Sequence, residues 1–114
     1  FKAMFGLDVP NDTQGCLQDI HWSMGGFGYF PTYSLGNLNS AQLFASAQKS
    51  LGSNLGTLQN GNYKILLDWL RTNVHQYGKQ HTPTELMQQA TGQSTQPNYH
   101  WSYLKDRFAS IAKM

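Results

Sequence analysis

The chain has 114 residues and a net charge of +2 at pH 7, from 8 Lys plus Arg and 6 Asp plus Glu, and this length predicts one small globular unit. Only 12% of the residues are charged, about half the share usual for a soluble domain, and they form no block of like charge, which argues against a nucleic-acid-binding protein. The single cysteine, Cys16, excludes an internal disulfide framework and is typical of a reducing compartment.

The ends and the apolar segments of the sequence bear on its location. No apolar run approaches the roughly 20 residues that span a membrane, and the N-terminus has no secretory signal. We therefore predict a cytoplasmic protein without membrane contact. The chain begins at Phe1 rather than at Met, and residues 1–5 resemble the end of a helix that Gly6 closes. This beginning predicts a piece of a longer protein.

The first half of the chain is predicted to hold a short segment, a loop and a helix. Asp12 or Thr13 caps the short segment, which covers residues 15–23. A loop at 24–32 follows, in which three glycines alternate with aromatic residues and permit unusual backbone angles or close approach. Leucine, alanine and glutamine then predict a helix from about residue 32 to residue 51.

The second half is predicted to be mainly helical. A connection at 52–61, with about one turn of helix, leads to a helix over 65–77. Thr82 caps the next helix, which ends at Gly92, and a last helix follows Pro97. That last helix carries one apolar stripe: Trp101, Leu104, Phe108 and Ile111. No stretch alternates as a strand does, so the fold class is all α, with four or five helices, and three Trp and six Phe are enough to fill one core.

Several kinds of chemistry are disfavoured. The histidines His21, His75, His81 and His100 form no metal-binding pair, since neither His-Glu-x-x-His nor Cys-x-x-Cys is present. The glycine cluster lacks the preceding strand and following Lys-Ser/Thr of a phosphate-binding loop. Cys16 has no neighbouring base and is predicted to pack as a small hydrophobic residue.

One polar cluster remains. Gln18, Asp19 and His21 lie within four positions of one another, beside Trp22. On a helix, Gln18 and His21 share a face and can present polar groups to a cleft. The alternative is that Asp19 caps or forms a salt bridge locally and that His21 is a satisfied buried histidine. Spacing alone does not decide between these two interpretations.

The string that contains this cluster resembles a known family. Residues 15–22, Gly-Cys-Leu-Gln-Asp-Ile-His-Trp, match every fixed position of the Gly-x-x-Gln-Asp-x-His-Trp motif of the M32 metallocarboxypeptidases, the thermostable carboxypeptidase Taq type. Residues 27–37 and 41–44 are also similar to the family's sequence after that motif. The C-terminal third is similar more weakly, for example at Trp69 and Glu85.

The resemblance implies a C-terminal segment of a mostly helical metallopeptidase with a deep cleft. Residues 1–51 would form one wall of the active site and 52–114 the C-terminal helices, together one structural unit. The family holds zinc with a His-Glu-x-x-His helix and a downstream Glu, and these are absent here. Zinc, or another divalent metal, is therefore expected to be bound by residues outside this chain, and the segment alone is expected to be inactive.

The same resemblance implies an activity and residue roles. The parent enzyme would remove single amino acids from peptide C-termini, with its metal as Lewis acid. His21 is expected to stabilise the oxyanion of the tetrahedral intermediate, with Gln18 and Asp19 orienting its ring. Trp22 is expected to fix the motif by packing, and Gly15 is the motif glycine.

Two tyrosines are the other candidate site residues. By resemblance to related peptidases, Tyr29 or Tyr33 is expected to contact the intermediate or the substrate's terminal carboxylate. The sequence does not say which of them does so. For each, the alternative is a ring packed under the loop with a solvated hydroxyl.

The partners follow from the same resemblance. They are the C-terminus of a peptide, the rest of the parent peptidase and a second copy in a homodimer. The competing interpretation is a stand-alone helical binding or dimerisation module, which the amphipathic C-terminal helices support. An interaction module has no need of a Gln-Asp-x-His-Trp cluster beside a glycine loop, and this favours the enzyme segment.

Overall fold

The computed structural model describes residues 1–112 and is helical, with no β-strand in that range. This confirms the all-α prediction. Its five α-helices are α1 (Lys2–Phe5), α2 (Pro31–Leu51), α3 (Lys64–Asn73), α4 (Pro83–Thr91) and α5 (Asn98–Ile111). Short 3-10 helices cover Cys16–Gln18, Gly52–Asn60 and His75–Tyr77. None of the helices described is both long and apolar enough to cross a membrane.

The chain divides into two compact units, Phe1–Thr32 and Tyr33–Met114. Helix α2 begins at Pro31, in the last residues of the first unit, and ends at Leu51, within the sequence of the second unit. This boundary differs from the predicted division between residues 51 and 52. That division assigns roles within a longer protein and stays a prediction.

Most helix ends lie where local chemistry predicts them. Gly6 and Gly92 end α1 and α4 in the left-handed conformation, with φ of 69° and 83°. The predicted connection at 52–61 is more ordered than expected, because a 3-10 helix occupies Gly52–Asn60. The predicted helix over 65–77 is interrupted at Val74, whose φ of −130° and ψ of −63° leave the helical region.

The predicted segment over 15–23 is wrong in extent. Its 3-10 helix covers only Cys16–Gln18, and Asp19 is already extended, with φ −125° and ψ 133°. No side chain caps this helix, so neither Asp12 nor Thr13 has the predicted role. The Asp19 carboxylate accepts the backbone N–H of His21, a local bond that competes with helix continuation.

Helix α4 has the strongest local start signal in the chain. The Thr82 hydroxyl accepts the backbone N–H of Glu85, and the Glu85 carboxylate accepts the backbone N–H of Thr82, which together form a capping box. The backbone N–H of Thr82, and next its hydroxyl, hold the pKa of Glu85 below its usual value. The ionised Glu85 carboxylate therefore stabilises the start of α4 fully above the ordinary glutamate pKa, and this stabilisation is lost as pH falls through the lowered pKa of Glu85.

We expect Thr82→Ala to loosen the start of α4. Loss of the cap costs about 1 kcal/mol, so amide exchange in the first turn of α4 should rise about fivefold. Hydrogen–deuterium exchange of the full-length protein measures this change. Thr84→Ala, in the same turn, is the matched control, because the Thr84 side chain takes no part in the capping box. Equal exchange in the two variants would contradict the prediction.

The second unit has a small core. Its buried apolar side chains are Ala47, Trp69, Met87 and Ala90. The prediction that the Trp and Phe residues fill a core is wrong for most of them, since all six Phe and two of the three Trp are exposed. The physical reason is that no element among the residues described covers these aromatic side chains, several of which lie in loops.

Helix α5 has two faces with different surroundings. Tyr99 and Tyr103 line a cavity of about 480 Å³ together with Ala41 and Ala45 of α2, so this face is turned toward α2. The predicted apolar stripe lies on the other face, where Trp101, Leu104 and Phe108 line a shallow groove. Trp101 is 69% exposed, so the stripe faces outward and not into the core of this chain.

A buried amide joins α2 to the segment between α4 and α5. The Gln42 side chain is 1% exposed. Its Nε2 donates to the Thr91 hydroxyl at 2.7 Å and to the carbonyls of Ser94 and Gln93 at 3.1 and 3.2 Å. Its Oε1 accepts the backbone N–H of Gln96 at 2.8 Å. This residue therefore satisfies several backbone groups that no helix pairs.

Candidate active site

The first unit pairs Asp19 with His21. The Asp19 Oδ1 atom accepts the backbone N–H of His21 and also lies 2.7 Å from Nδ1 of its ring. An ionised carboxylate can only accept hydrogen bonds, so Nδ1 of His21 carries a proton. The second ring nitrogen, Nε2, is then the atom through which His21 can bind another molecule.

The same contacts determine the charge of Asp19. The backbone N–H of His21, and next its ring, hold the pKa of the Asp19 carboxyl below its usual value. The ionised Asp19 carboxylate therefore keeps its hydrogen bonds to His21 at neutral and mildly acidic pH. This pairing is lost only when pH falls through the lowered pKa of Asp19.

Two aromatic rings flank the imidazole of His21. Tyr29 is stacked on it, with centroids 5.0 Å apart and an interplanar angle of 25°. Phe30 lies against it at 4.9 Å, tilted by 48°. The His21 side chain is 27% exposed, so the ring is held on two sides and still reaches solvent. Phe30 is not among the predicted site residues. Its sequence signals are its place beside Tyr29 and its position in the block 27–37 that is similar to the family.

The glycine-rich loop brings these rings together through its backbone. The N–H of Gly26 donates to the carbonyl of His21 at 2.6 Å, and the carbonyl of Gly26 accepts the N–H of Tyr29 at 3.2 Å. Gly25 and Gly28 have φ of 76° and 77°, a conformation that favours glycine. The loop therefore depends on glycine for its positive φ angles and for the close approach of Gly26 to the His21 carbonyl.

Gln18 is placed differently from the expectation. Its side chain donates to the backbone carbonyl of Thr13 and so holds the turn before the motif. In the part of the chain described, only Asp19 hydrogen-bonds to the His21 ring. The shared helical face of Gln18 and His21 is also not formed, because the helix stops at Gln18.

The remaining motif residues have packing roles in the first unit. Trp22 is stacked on Phe27, with centroids 6.4 Å apart and an interplanar angle of 6°. At Gly15 a Cβ would lie 2.5 Å from Cγ1 of the Val9 side chain and 3.1 Å from the backbone oxygen of Asn11, so a side chain here would force these neighbours to shift. Both observations describe local packing, and the roles of Trp22 and Gly15 in the motif stay predictions.

Tyr33 belongs to the second unit. It lies in the first turn of α2 and is exposed. Tyr29, which stacks on the ring of His21, belongs to the first unit. The choice between them as the substrate contact stays a prediction.

A largely apolar cavity of about 740 Å³ opens beside the motif in the first unit. Asp19, Trp22 and Phe30 contribute to its lining, as does Cys16. The prediction that Cys16 packs as a small hydrophobic residue is wrong, because Cys16 is exposed. The turn at Cys16–Gln18 buries none of its residues, and this explains the exposure.

The described residues do not fit a metal site. In residues 1–112, no group of three or more His, Cys, Asp or Glu side chains could hold a metal ion. His21 is bound to a single carboxylate. His81 packs against Tyr77 and His100 against Tyr103.

Comparison with known proteins places this helical chain among the peptidases. A model of the family described as carboxypeptidase Taq (M32) metallopeptidase matches residues 1–108. The chain belongs to this M32 family.

Individual relatives agree with the family match. Thermostable carboxypeptidase 1 of Thermus thermophilus is 38% identical over 111 residues, which are 97% of this chain and 22% of that protein. Metallocarboxypeptidase 1 of Trypanosoma cruzi is 39% identical, with a TM-score of 0.80, and the match covers 95% of this chain and 23% of that one. The M32 carboxypeptidase of Deinococcus radiodurans is 33% identical, with a TM-score of 0.83, covering 99% and 23%. The chain thus spans about a fifth of the length of the curated relatives it matches.

Proposed function

We propose that this chain is part of a metal-dependent carboxypeptidase that removes single amino acids from the C-termini of peptides. Membership of the M32 family and the carboxypeptidase names of its relatives support this proposal. We further propose that the metal is zinc, held by residues outside this chain. A C-terminal place in the parent protein, a homodimer and a cytoplasmic location are parts of the same proposal.

The Asp19–His21 pair is the observation that carries a catalytic role for this segment. Asp19 holds Nδ1 of His21 at 2.7 Å, so the ring is oriented with Nε2 available to a substrate. When His21 is protonated, both ring nitrogens are donors. Nε2–H can then stabilise the oxyanion that forms at the last peptide carbonyl, and Asp19 compensates the positive charge of the ring. This role requires the imidazolium form, because a neutral ring protonated at Nδ1 can only accept at Nε2.

A tyrosine hydroxyl is the second proposed contact with substrate. The ring of Tyr29 lies on that of His21, and this geometry supports Tyr29 as a ligand of the intermediate or of the substrate's terminal carboxylate. Tyr33, exposed in the first turn of α2, is the other candidate. Trp22 and Gly15 support the motif and do not contact substrate in this proposal.

The outward apolar stripe of α5 favours a second candidate function, a helical binding or dimerisation module. Phe108 and Ile111 are exposed on that stripe. The two functions differ in what they require of the motif. Binding by a module would be unchanged by substitution of Asp19 or His21, whereas peptidase activity would be lost.

An assay of the full-length protein tests the proposed activity. We expect release of the last amino acid from a peptide with a free C-terminus, no release from the same peptide with a C-terminal amide, and loss of activity with a chelator. Elemental analysis should find bound zinc. Cleavage of the amidated peptide at the same rate, or activity that persists after the metal is removed, would contradict the proposal.

A further inference from the structure

Gly26 connects the backbones of the two stacked rings. Its N–H donates to the His21 carbonyl at 2.6 Å, and its carbonyl accepts the N–H of Tyr29 at 3.2 Å. The rings of those two residues are stacked with centroids 5.0 Å apart. A change in the position of Gly26 is therefore transmitted to His21 and Tyr29 together.

The space at Gly26 has no room for a side chain. A Cβ at this position would lie 2.8 Å from the carbonyl oxygen of His21 and 3.4 Å from its carbonyl carbon. Rotation of a side chain cannot relieve a contact with backbone atoms, so the His21 backbone has to move. Gly25 and Gly28 differ, because no atom lies within 4 Å of a Cβ at either position.

We propose that Gly26 is a positioning residue for His21. The missing side chain lets the loop close on the His21 carbonyl, and this contact sets the stack of the His21 ring on Tyr29. The effect on turnover rests on the proposed function, whereas the effect on the His21 ring does not. Because a displacement of about 1 Å can lower a rate by about a hundredfold, a shift of the His21 backbone is expected to be visible in kcat.

The test compares two glycine-to-alanine variants of the full-length protein. Gly56→Ala is the matched control, since a Cβ at Gly56 meets no atom within 4 Å and its φ is not positive. We expect Gly26→Ala to lower kcat on a blocked dipeptide by roughly tenfold to a hundredfold and to change KM little. Gly56→Ala should keep the kcat of the unmodified protein.

A second readout is independent of activity. Diethyl pyrocarbonate modifies histidine rings, and peptide mass mapping gives the rate for each of the four histidines. Gly26→Ala should raise the rate of His21 severalfold relative to that of His100, because the ring leaves its place between Tyr29 and Phe30. A general loss of folding would instead raise all four rates together.

The outcomes separate the positioning role from the proposed function. If His21→Ala is inactive while Gly26→Ala matches Gly56→Ala in kcat and in His21 reactivity, the positioning role is wrong and the proposed function stands. If His21→Ala keeps full kcat, the catalytic role of His21 fails, and a selective rise of His21 reactivity still supports positioning. A uniform rise at all four histidines overturns the proposal, because Gly26 would then be a general folding residue.

Discussion

Replacing His21 by Ala in the full-length protein should lower kcat by about a hundredfold or more, with the metal content unchanged. The reason is the loss of a donor oriented toward the oxyanion, and removal of one such donor costs about 100- to 1,000-fold in other enzymes. Steady-state kinetics and elemental analysis of the purified variant measure the two quantities. A loss of less than about threefold would remove His21 from the mechanism.

The control for this substitution is His100→Ala. The ring of His100 also stacks on a tyrosine, Tyr103, and the two ring centroids are 6.2 Å apart. His100 lies in the second unit. We expect its removal to leave kcat within the error of the measurement. An equal loss in both variants would attribute the effect to aromatic packing and not to catalysis.

Local chemistry made several helix ends of this chain predictable. Gly6, Gly92 and Thr82 act through their own backbone or a neighbouring N–H, and such interactions can be recognised from a few residues. The conformation around Asp19 was not predictable in the same way. Its carboxylate can pair with a helix terminus, a distant base or the next N–H, and only the structure selects His21.

Burial was the least predictable property. The amphipathic stripe that contains Phe108 does not show whether its cover lies within the chain or outside it, and here the stripe is exposed. The arrangement around His21 was partly predictable. The motif resemblance predicted that Asp19 orients the ring, whereas the contact of Phe30 and the separate role of Gln18 depend on a turn that propensity does not specify.

Gln42→Met should strongly destabilise the second unit. Methionine keeps the length of the side chain and its helix propensity, but it can neither donate to Thr91 and the carbonyl of Ser94 nor accept the N–H of Gln96. Each buried polar group left without a partner costs about 1–3 kcal/mol. We expect the amides of residues 91–96 to exchange about a hundredfold faster in the full-length protein, which corresponds to about 3 kcal/mol.

The matched control uses the same substitution in the same helix. Gln48 is exposed in α2 and lines the cavity of about 480 Å³ between α2 and α5. Gln48→Met therefore removes no buried partner and should change the free energy of unfolding by less than about 0.5 kcal/mol. Similar exchange in the two variants would mean that water replaces the Gln42 amide at no cost. Faster exchange confined to Gln42→Met would show that this amide holds the segment between α4 and α5 against α2, since the two substitutions alter helix propensity equally.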